Sequence, residues 1–526
     1  MYQVLIADAL SPRAAEILRE RGIGAEVRTG LSPSELQAAI VDYDGLAVRS
    51  ATKVTRPILE AAGNLKVVGR AGIGVDNIDV AAATQRGIVV MNAPHGNAVT
   101  TAEHAIALVL ALARKIPQAN ASTHAGRWEK ERFVGMELAG KTLGIVGCGN
   151  VGSIVADRAH GLKMRVIAYD PYLSDERTRD LAVEKRELDD LLRHADIITL
   201  HAPSTESTRH MIDTAALSIT KPGVLIVNCA RGDLIVEADL KAAIETGRVA
   251  GAALDVFAEE PARRNPLFGL EQVIATPHLG ASTTEAQEKV AIQIAEQMAD
   301  FLLTGAVSNA VNMPSVTAEE APRLKPYIRL ATQLGSFAGQ LTRSGIRGVT
   351  VEYEGHAAEL NTRPLTAAAL AGLLSPMLDQ VNMVNAPLIA RERDIAVTEI
   401  KHDRATDYQT LIRLTVETDR RKRDVAGTLF GGDKPRVVEI KGIPVEAELG
   451  RHMLYITNED KPGFIGRLGT ALGDGDVNIA TFHLGRSGPG ADAIALVEVD
   501  QPLTDEMLRR LRRIPNVVQA ESLTFP

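Results

Sequence analysis

The stretch that most constrains this chain is GKTLGIVGCGNVGSIVADRAHGLKMRVIAYD, from Gly140 to Asp170. Thr142 to Val146 is an apolar run of β type, and it leads into three glycines, Gly147, Gly149 and Gly152. A helical segment from about Val151 to Leu162 follows, then a second strand, Arg165 to Tyr169, which stops at an acid, Asp170. Strand, glycine turn, helix and strand in this order predict part of a doubly wound parallel sheet with a dinucleotide-binding turn. Gly147 suits the tight turn off the strand, Gly149 the approach of a pyrophosphate to the backbone, and Gly152 close helix–strand packing. The helix N-terminus offers free N–H groups and the positive end of its dipole. Asp170 follows Gly147 by 23 positions, close to the roughly 20 expected of a carboxylate that holds an adenosine ribose. No Lys or Arg comes before Arg177, so a 2′-phosphate would meet an acid with no cation beside it. The cofactor expected is NAD rather than NADP.

A chain of 526 residues has room for about three or four domains. Aromatic residues make up only 3%, so the cores must be built from Ala, Val, Leu and Ile. A formal net charge of −8 argues against a nucleic-acid partner, and no apolar run reaches the roughly 18 residues of a membrane span. The N-terminus, MYQVLIADALSPRAAE, enters a strand directly without a basic region or cleavage site, so no signal peptide is expected. Cys148 and Cys229 each sit in or just after a buried strand, which predicts free thiols and a cytoplasmic protein.

Residues 1–97 alternate short strands (Val4–Ala7, Gly45–Val48, Leu65–Val68, Ile88–Met91) with helical segments such as Pro12–Arg21 and Ser34–Ile40. That alternation predicts a second parallel sheet covered on both faces. Two of its strand ends carry cations, Arg49 in AVRSAT and Arg70 in VVGRAGIGVDNID, and strand ends face the ligand crevice in such sheets. An apolar helix from Ala98 to about Arg114 leads to the dinucleotide unit, over 98–283. A helix from Thr283 to about Leu303 returns, so that 284–310 completes the first unit. The loop AGRWEKERFVG holds the only tryptophan, Trp128. It reads as a contact with a second subunit, a substrate-facing flap, or a locally packed loop. Residues 318–447 predict an α+β unit without a catalytic signature, and its run DRRKRD, Asp419–Asp424, reads as a solvated hairpin turn, with anion binding as the second reading. From 450 to 526 the order strand, helix, strand, strand, helix, strand is ferredoxin-like.

Three residues at strand ends of the dinucleotide unit make one chemical set. Arg231 (NCARGDLI) presents a fork of donors suited to a carboxylate. His278 (ATPHLGAS) titrates near neutrality and can take a hydroxyl proton. Glu260 (DVFAEEP) can hold the other imidazole nitrogen, fixing its tautomer and raising its pKa. Together with a dinucleotide they suit hydride transfer from a 2-hydroxy acid.

The blocks GKTLGIVGCGNVG, VNCARGDLIVEADL, GAALDVFAEEP and TPHLGAST resemble the D-isomer-specific 2-hydroxyacid dehydrogenase family. The resemblance implies Arg231, Glu260 and His278 as the catalytic residues. It implies an NAD site of Gly147, Gly149, Asn150, Val151, Gly152, Asp170, His201, Ala202, Pro203, Cys229, Ala230, Arg231, Asp255 and His278, with Asp255 near the nicotinamide amide. VRSATKVT and GRAGIGVDNID resemble the substrate-domain signature of a long-form branch that acts on 3-phosphoglycerate. Arg49, Ser50, Arg70 and Gly72 are thereby placed near carboxylate and phosphate. WEKERF resembles a loop donated across a dimer, where Lys130 reaches the neighbouring subunit's substrate phosphate.

The fold implied is α/β, with a doubly wound substrate domain, a Rossmann NAD domain, an α+β intervening domain and a ferredoxin-like βαββαβ ACT domain. The ACT resemblance implies serine as an effector at a domain–domain interface, through Asp460 (NEDKPG) and Asn478 (DVNI), with Asn458 departing from the bulkier residue of one relative. For the intervening domain it suggests a second anion site of Arg436, Lys441 and Arg451. A homo-oligomer, a tetramer, is the assembly implied.

Overall fold

The computed structural model describes the whole chain except His95, Ala318, 403–406 and Pro526. Four sheets follow one another along the sequence. The first has five parallel strands, in the spatial order Gly24–Val27, Gln3–Ile6, Gly45–Val48, Val67–Arg70, Val89–Asn92. The edge strand Gly24–Val27 is the one that the sequence does not announce. Its residues are partly or fully exposed, and it exists through parallel pairing with Gln3–Ile6.

The helix Ala98–Ala113 carries the chain to the second sheet and packs on it through Ala105, Val109 and Leu112. The helix Thr284–Thr304 comes back. Thr283 caps it by accepting the N–H of Ala286 at 3.2 Å, and Gly305 ends it at φ 78°. Its inner face, Val290, Ile294, Met298 and Leu302, closes over the first sheet.

The second sheet has seven parallel strands in the order Val273–Ala275, Val249–Leu254, Val224–Asn228, Ile197–Leu200, Thr142–Val146, Arg165–Tyr169, Glu184–Lys185. Ile197–Leu200 and Val224–Asn228 are buried at every residue, as strands covered on both faces must be. The chain runs outward from Thr142–Val146 and then restarts on its other side at Ile197–Leu200. That switch of direction opens the crevice where the C-terminal strand ends gather.

The third sheet is mixed and six-stranded. Ile346–Gly355 pairs parallel with Ala396–His402 and antiparallel with Thr410–Thr418, and the helices Glu320–Gln340 and Arg363–Leu374 belong to its core. Only the start of the 419–424 run is a turn. Lys422–Phe430 is a strand, so Arg423 and Asp424 are half-buried members of the sheet rather than solvated turn residues. The fourth sheet has the strand order Ile479–Arg486, Asp492–Val499, His452–Glu459, Val517–Thr524, with helices Phe464–Gly473 and Asp505–Arg512. Among the described residues no helix is long and apolar enough to cross a membrane, and no group of His, Cys, Asp or Glu could hold a metal ion.

Candidate active site

The glycine turn is built for close approach. Gly147 sits at φ 90°, and a Cβ there would stand 2.8 Å from the backbone of His201 and Ala202. A Cβ on Gly152 would lie 2.0 Å from the Gly147 carbonyl, so the helix Asn150–Gly161 can rest on the strand only without a side chain there. At Gly149 nothing lies within 4 Å of the added atom, and no side chain caps this helix. Open space before uncapped N–H groups fits a pyrophosphate. Asp170 accepts the N–H of Cys148 on Oδ2 and of Tyr172 on Oδ1, both at 2.9 Å. One donor on each oxygen leaves acceptor sites for a ribose diol. Asn150 reaches the Pro94 carbonyl at 3.5 Å, Val151 is partly buried against the core, and Pro203 is exposed. The His201 ring meets Thr199 at 2.9 Å, and burial holds the imidazole neutral, with a pKa of about 4. Burial pushes the Cys148 thiol up to about 11 and the Cys229 thiol higher still; both are free. Ala202 and Ala230 are buried beside them.

His278 and Glu260 meet as the sequence suggests. Nδ1 of His278 lies 2.6 Å from Oε2 of Glu260. A carboxylate only accepts, so Nδ1 carries the hydrogen and Nε2 is left for the substrate. Oε1 of Glu260 is fixed by the Phe257 N–H at 3.1 Å. The hydrogen bond to Glu260 raises the His278 pKa against the opposing effect of burial. For Glu260, burial is the largest single effect and acts upward, but the bond to His278, the His278 charge and the Phe257 N–H together outweigh it, and the pKa is lowered. His278 is at φ 56°, and its N–H points to the carbonyls of Asp255 and Thr276 at 2.9 and 3.0 Å.

Asp255 is what holds that loop. Its carboxylate, 1% exposed, takes Thr276 Oγ1 at 2.6 Å, Leu279 N at 2.7 Å and His104 Nε2 at 3.2 Å on Oδ1, and Gly280 N at 2.8 Å on Oδ2. Burial alone would raise its pKa, and these donors lower it. One lone pair of Oδ2 is all that remains for a cofactor amide.

Arg231 reaches across the crevice. Its Nε pairs with Oδ2 of Asp76 at 2.9 Å, and a Cβ on Gly74 would stand 1.7 Å from its Nη2. Arg70 lies alongside. Its Nη1 would be 1.8 Å from a Cβ on Gly72, and its Nε is buried and, among the described residues, has no hydrogen-bond partner. Burial first, then the neighbouring Arg231, lower its pKa to about 10. Arg49 also acts on Arg70; its backbone N–H is held by Asp8 at 2.6 Å and its carbonyl by Asn77 at 2.6 Å. Ser50 is exposed beside it. Asp8, Asp76, Asn77 and His104 are absent from the sequence reading. Asp8 carried a signal, an acid directly after the first strand; Asp76 and Arg231 pair over 155 positions with no local mark. Lys130 stands exposed on the turn Lys130–Phe133, and among the described residues it makes no hydrogen bond or ion pair. Trp128 beside it is 81% exposed.

One chain does not bring Asp460 and Asn478 together. Glu459, before Asp460, pairs with Asp492, whereas Ile479, after Asn478, pairs with Val499. The two residues thus lie at opposite ends of the strand Asp492–Val499, about 24 Å apart at strand rise, beyond the reach of one small effector. Oδ2 of Asp460 accepts from Arg486 at 2.9 Å, a bond that lowers its pKa, and Asn478 donates to Asp500 at 2.7 Å. Asn458 is buried, and among the described residues its Oδ1 has no hydrogen-bond partner. Of the intervening-domain cations, Arg436 is paired with Glu448 at 3.1 Å and stacked on Phe430, while Arg451 is exposed.

Three family models match: D-isomer specific 2-hydroxyacid dehydrogenase, NAD binding domain, over 106–280; D-3-phosphoglycerate dehydrogenase intervening domain over 323–441; and ACT domain over 452–516. The D-3-phosphoglycerate dehydrogenase of Archaeoglobus fulgidus is 43% identical over 98% of this chain and 99% of that one. The enzyme of the same name from Bacillus subtilis is 41% identical over 100% of each. Among solved structures, D-lactate dehydrogenase of Aquifex aeolicus, complexed with NAD and lactic acid, aligns with a TM-score of 0.54 at 25% identity, over 60% of this chain and 100% of that one. The chain belongs to the D-3-phosphoglycerate dehydrogenases of the D-isomer-specific 2-hydroxyacid dehydrogenase family.

Proposed function

We propose that this chain oxidises 3-phospho-D-glycerate at C2 to 3-phosphohydroxypyruvate with NAD, the first step towards L-serine. The observation that carries the reading is one continuous charged site. His278, 2.6 Å from Glu260, feels the charge of Arg231, which in turn neighbours Arg70, whose Nε is buried and, among the described residues, has no acceptor. Such a cluster asks for an anion with a hydroxyl beside it. Bound NAD would supply the hydride acceptor for C2.

The protein groups do the rest. Nε2 of His278 takes the C2 hydroxyl proton, and Glu260 compensates the imidazolium that forms. Arg231 exchanges Asp76 for the substrate carboxylate and polarises the C2 oxygen, its planar fork serving both. Arg70 and Arg49, with Ser50 and the Gly72 backbone, hold the remaining anionic oxygens. The turn at Gly147–Gly152 and Asp170 would hold the dinucleotide. Asp255 positions the loop that carries His278. Replacement of His278 by Ala tests the assignment: NADH formation should fall by about 10³-fold or more while NAD binding is retained. An almost fully active variant would place the base elsewhere.

Lys130 and the effector pair are assigned to contacts between copies of the chain. Lys130 on its exposed turn would reach a second copy's substrate phosphate. A two-fold partner laid along the ACT domain would bring its Asn478 to Asp460, making a serine site that one chain lacks. Two such interfaces build a tetramer. The unpaired thiols of Cys148 and Cys229 suit the reducing cytoplasm.

A further inference from the structure

Three adjacent parallel strands of the first sheet, Gln3–Ile6, Gly45–Val48 and Val67–Arg70, end on the same side. The middle one runs into a short loop, Arg49–Thr52, and a side chain from beyond each neighbouring strand grips it. Asp8, after the first strand, is 5% exposed. Its Oδ2 accepts the N–H of Arg49 at 2.6 Å and of Thr52 at 3.2 Å, and its Oδ1 accepts the Thr52 hydroxyl at 2.7 Å. From the other flank, Nδ2 of Asn77 donates to the carbonyls of Arg49 at 2.6 Å and Thr52 at 2.7 Å. The first and last residues of the loop are thus held on both N–H and C=O, where no sheet ladder satisfies these groups.

The clamp leaves the tip of the loop free. Among the described residues the N–H groups of Ser50 and Ala51 have no hydrogen-bond partner, and both residues are exposed. The Arg49 guanidinium rests on the Ala9 carbonyl at 3.4 Å. Asn77 directly follows Asp76, which holds Arg231 at 2.9 Å, so one short segment ties both the loop and the guanidinium across the crevice. The chain past the loop is anchored separately. The Asn77 carbonyl accepts the Val54 N–H at 2.8 Å, and the Val54 carbonyl accepts the Asp79 N–H at 2.9 Å. Loss of either clamping side chain therefore frees Arg49–Thr52 and leaves these backbone bonds in place.

We propose that Asp8 and Asn77 are positioning residues for the substrate: they hold Arg49–Thr52 so that Arg49 and Ser50 meet one anionic end of it while Arg231 meets the other. The inference rests on the function proposed above. A substrate with an anion at each end is bound well only if the span between the two receiving groups is fixed, and a displacement of about 1 Å can cost about 100-fold. Asp8 acts here by its acceptors rather than its charge. An Asn in its place keeps an oxygen for the two N–H groups, and its amide can donate to the Thr52 hydroxyl. An Ala leaves all three donors without a partner. The Asp8 charge is felt in the crevice, where it opposes the lowering of the Arg70 pKa by burial and by Arg231. It therefore works against a bound anion, and a role of charge alone predicts a lower KM in both variants.

Steady-state kinetics of the full chain with 3-phosphoglycerate test this on Asp8→Ala, Asp8→Asn, Asn77→Ala, Arg49→Met and the double variant Asp8→Ala/Arg49→Met. Asp8→Ala and Asn77→Ala should raise KM for 3-phosphoglycerate about tenfold or more, with kcat within about threefold and KM for NAD unchanged. Asp8→Asn should stay near the wild type. Arg49→Met should also raise KM, and the double variant should show less than the product of the two single effects, because Asp8 acts through the loop that carries Arg49. Should Asp8→Ala fail to fold, Asn77→Ala, which keeps the backbone anchors, carries the test. An unchanged KM in Asp8→Ala and Asn77→Ala beside a raised one in Arg49→Met overturns the proposal. So do fully multiplying effects in the double variant, or an Asp8→Asn as impaired as Asp8→Ala. A wild-type KM in Arg49→Met overturns the substrate-site reading itself, and the proposal with it.

Discussion

Glu260→Gln removes the charge of the catalytic pair and keeps the size of the side chain. The amide oxygen can still accept the Nδ1 hydrogen of His278, so the tautomer is kept, while the carboxylate charge and the bond from the Phe257 N–H to the second oxygen are lost. In the wild-type chain that charge sits at 2.6 Å, with the imidazole 47% and the carboxylate 35% exposed. A hydrogen bond to a charged group contributes about 1.5–3 kcal/mol, and solvent screening at this exposure favours the lower half of that range. The imidazolium forms only as the proton is taken, so the loss falls on the barrier. At about 1.4 kcal/mol per decade, kcat for oxidation should drop roughly 10- to 50-fold, with the Michaelis constant for NAD little changed.

The pH profile gives a second readout. The base must be neutral, so oxidation rises with pH through the raised His278 pKa, and removal of the Glu260 charge should move that rise to lower pH. Stability follows the same pair. The raised His278 value stabilises the fold below the ordinary imidazole range, and this is lost as pH rises through it. The lowered Glu260 value stabilises above the ordinary carboxylate range, and this is lost as pH falls through it. The difference in Tm between wild type and variant should be widest between those limits. A variant with wild-type kcat and an unshifted profile would refute the role given to Glu260.

Two further outcomes are expected. Arg70→Met should lower kcat/KM for 3-phosphoglycerate by about 100-fold or more, from two lost charge-assisted bonds. Its Tm should hold or rise, because an unpaired buried cation is removed; a large fall in Tm with activity kept would show Arg70 to be structural. Serine should inhibit the wild type and fail to inhibit Asp460→Ala and Asn478→Ala, whereas a mixture of the two variants in one oligomer regains part of the inhibition. Inhibition that survives in both variants would place the effector elsewhere.

What the sequence discloses follows burial. Strands such as Val224–Asn228, buried on both faces, declare themselves as apolar runs, and the Gly147–Asp170 cradle is legible because Gly147 and Gly152 answer local steric demands and Gly149 leaves open space. The edge strand Gly24–Val27 escapes, since pairing with Gln3–Ile6 rather than its own composition makes it a strand. The charged run at 419–424 misleads for the opposite reason. Charge marks exposure on average, but the sheet turns Arg423 beneath the helix Glu320–Gln340, where its Nε is buried. Glu260 and His278 are legible as strand-end residues with complementary chemistry. The Asp76–Arg231 pair and the Asp255–His104 support depend on how distant segments fold together. Lys130, Asp460 and Asn478 lie where a single chain completes no site.

The most direct measurement is steady-state NADH formation by the full chain with 3-phosphoglycerate against glycerate, which differ only in the phosphate. A site with Arg70 waiting for an anion should favour 3-phosphoglycerate by about 100-fold or more in kcat/KM, the worth of two charge-assisted bonds. Equal turnover of glycerate would contradict it.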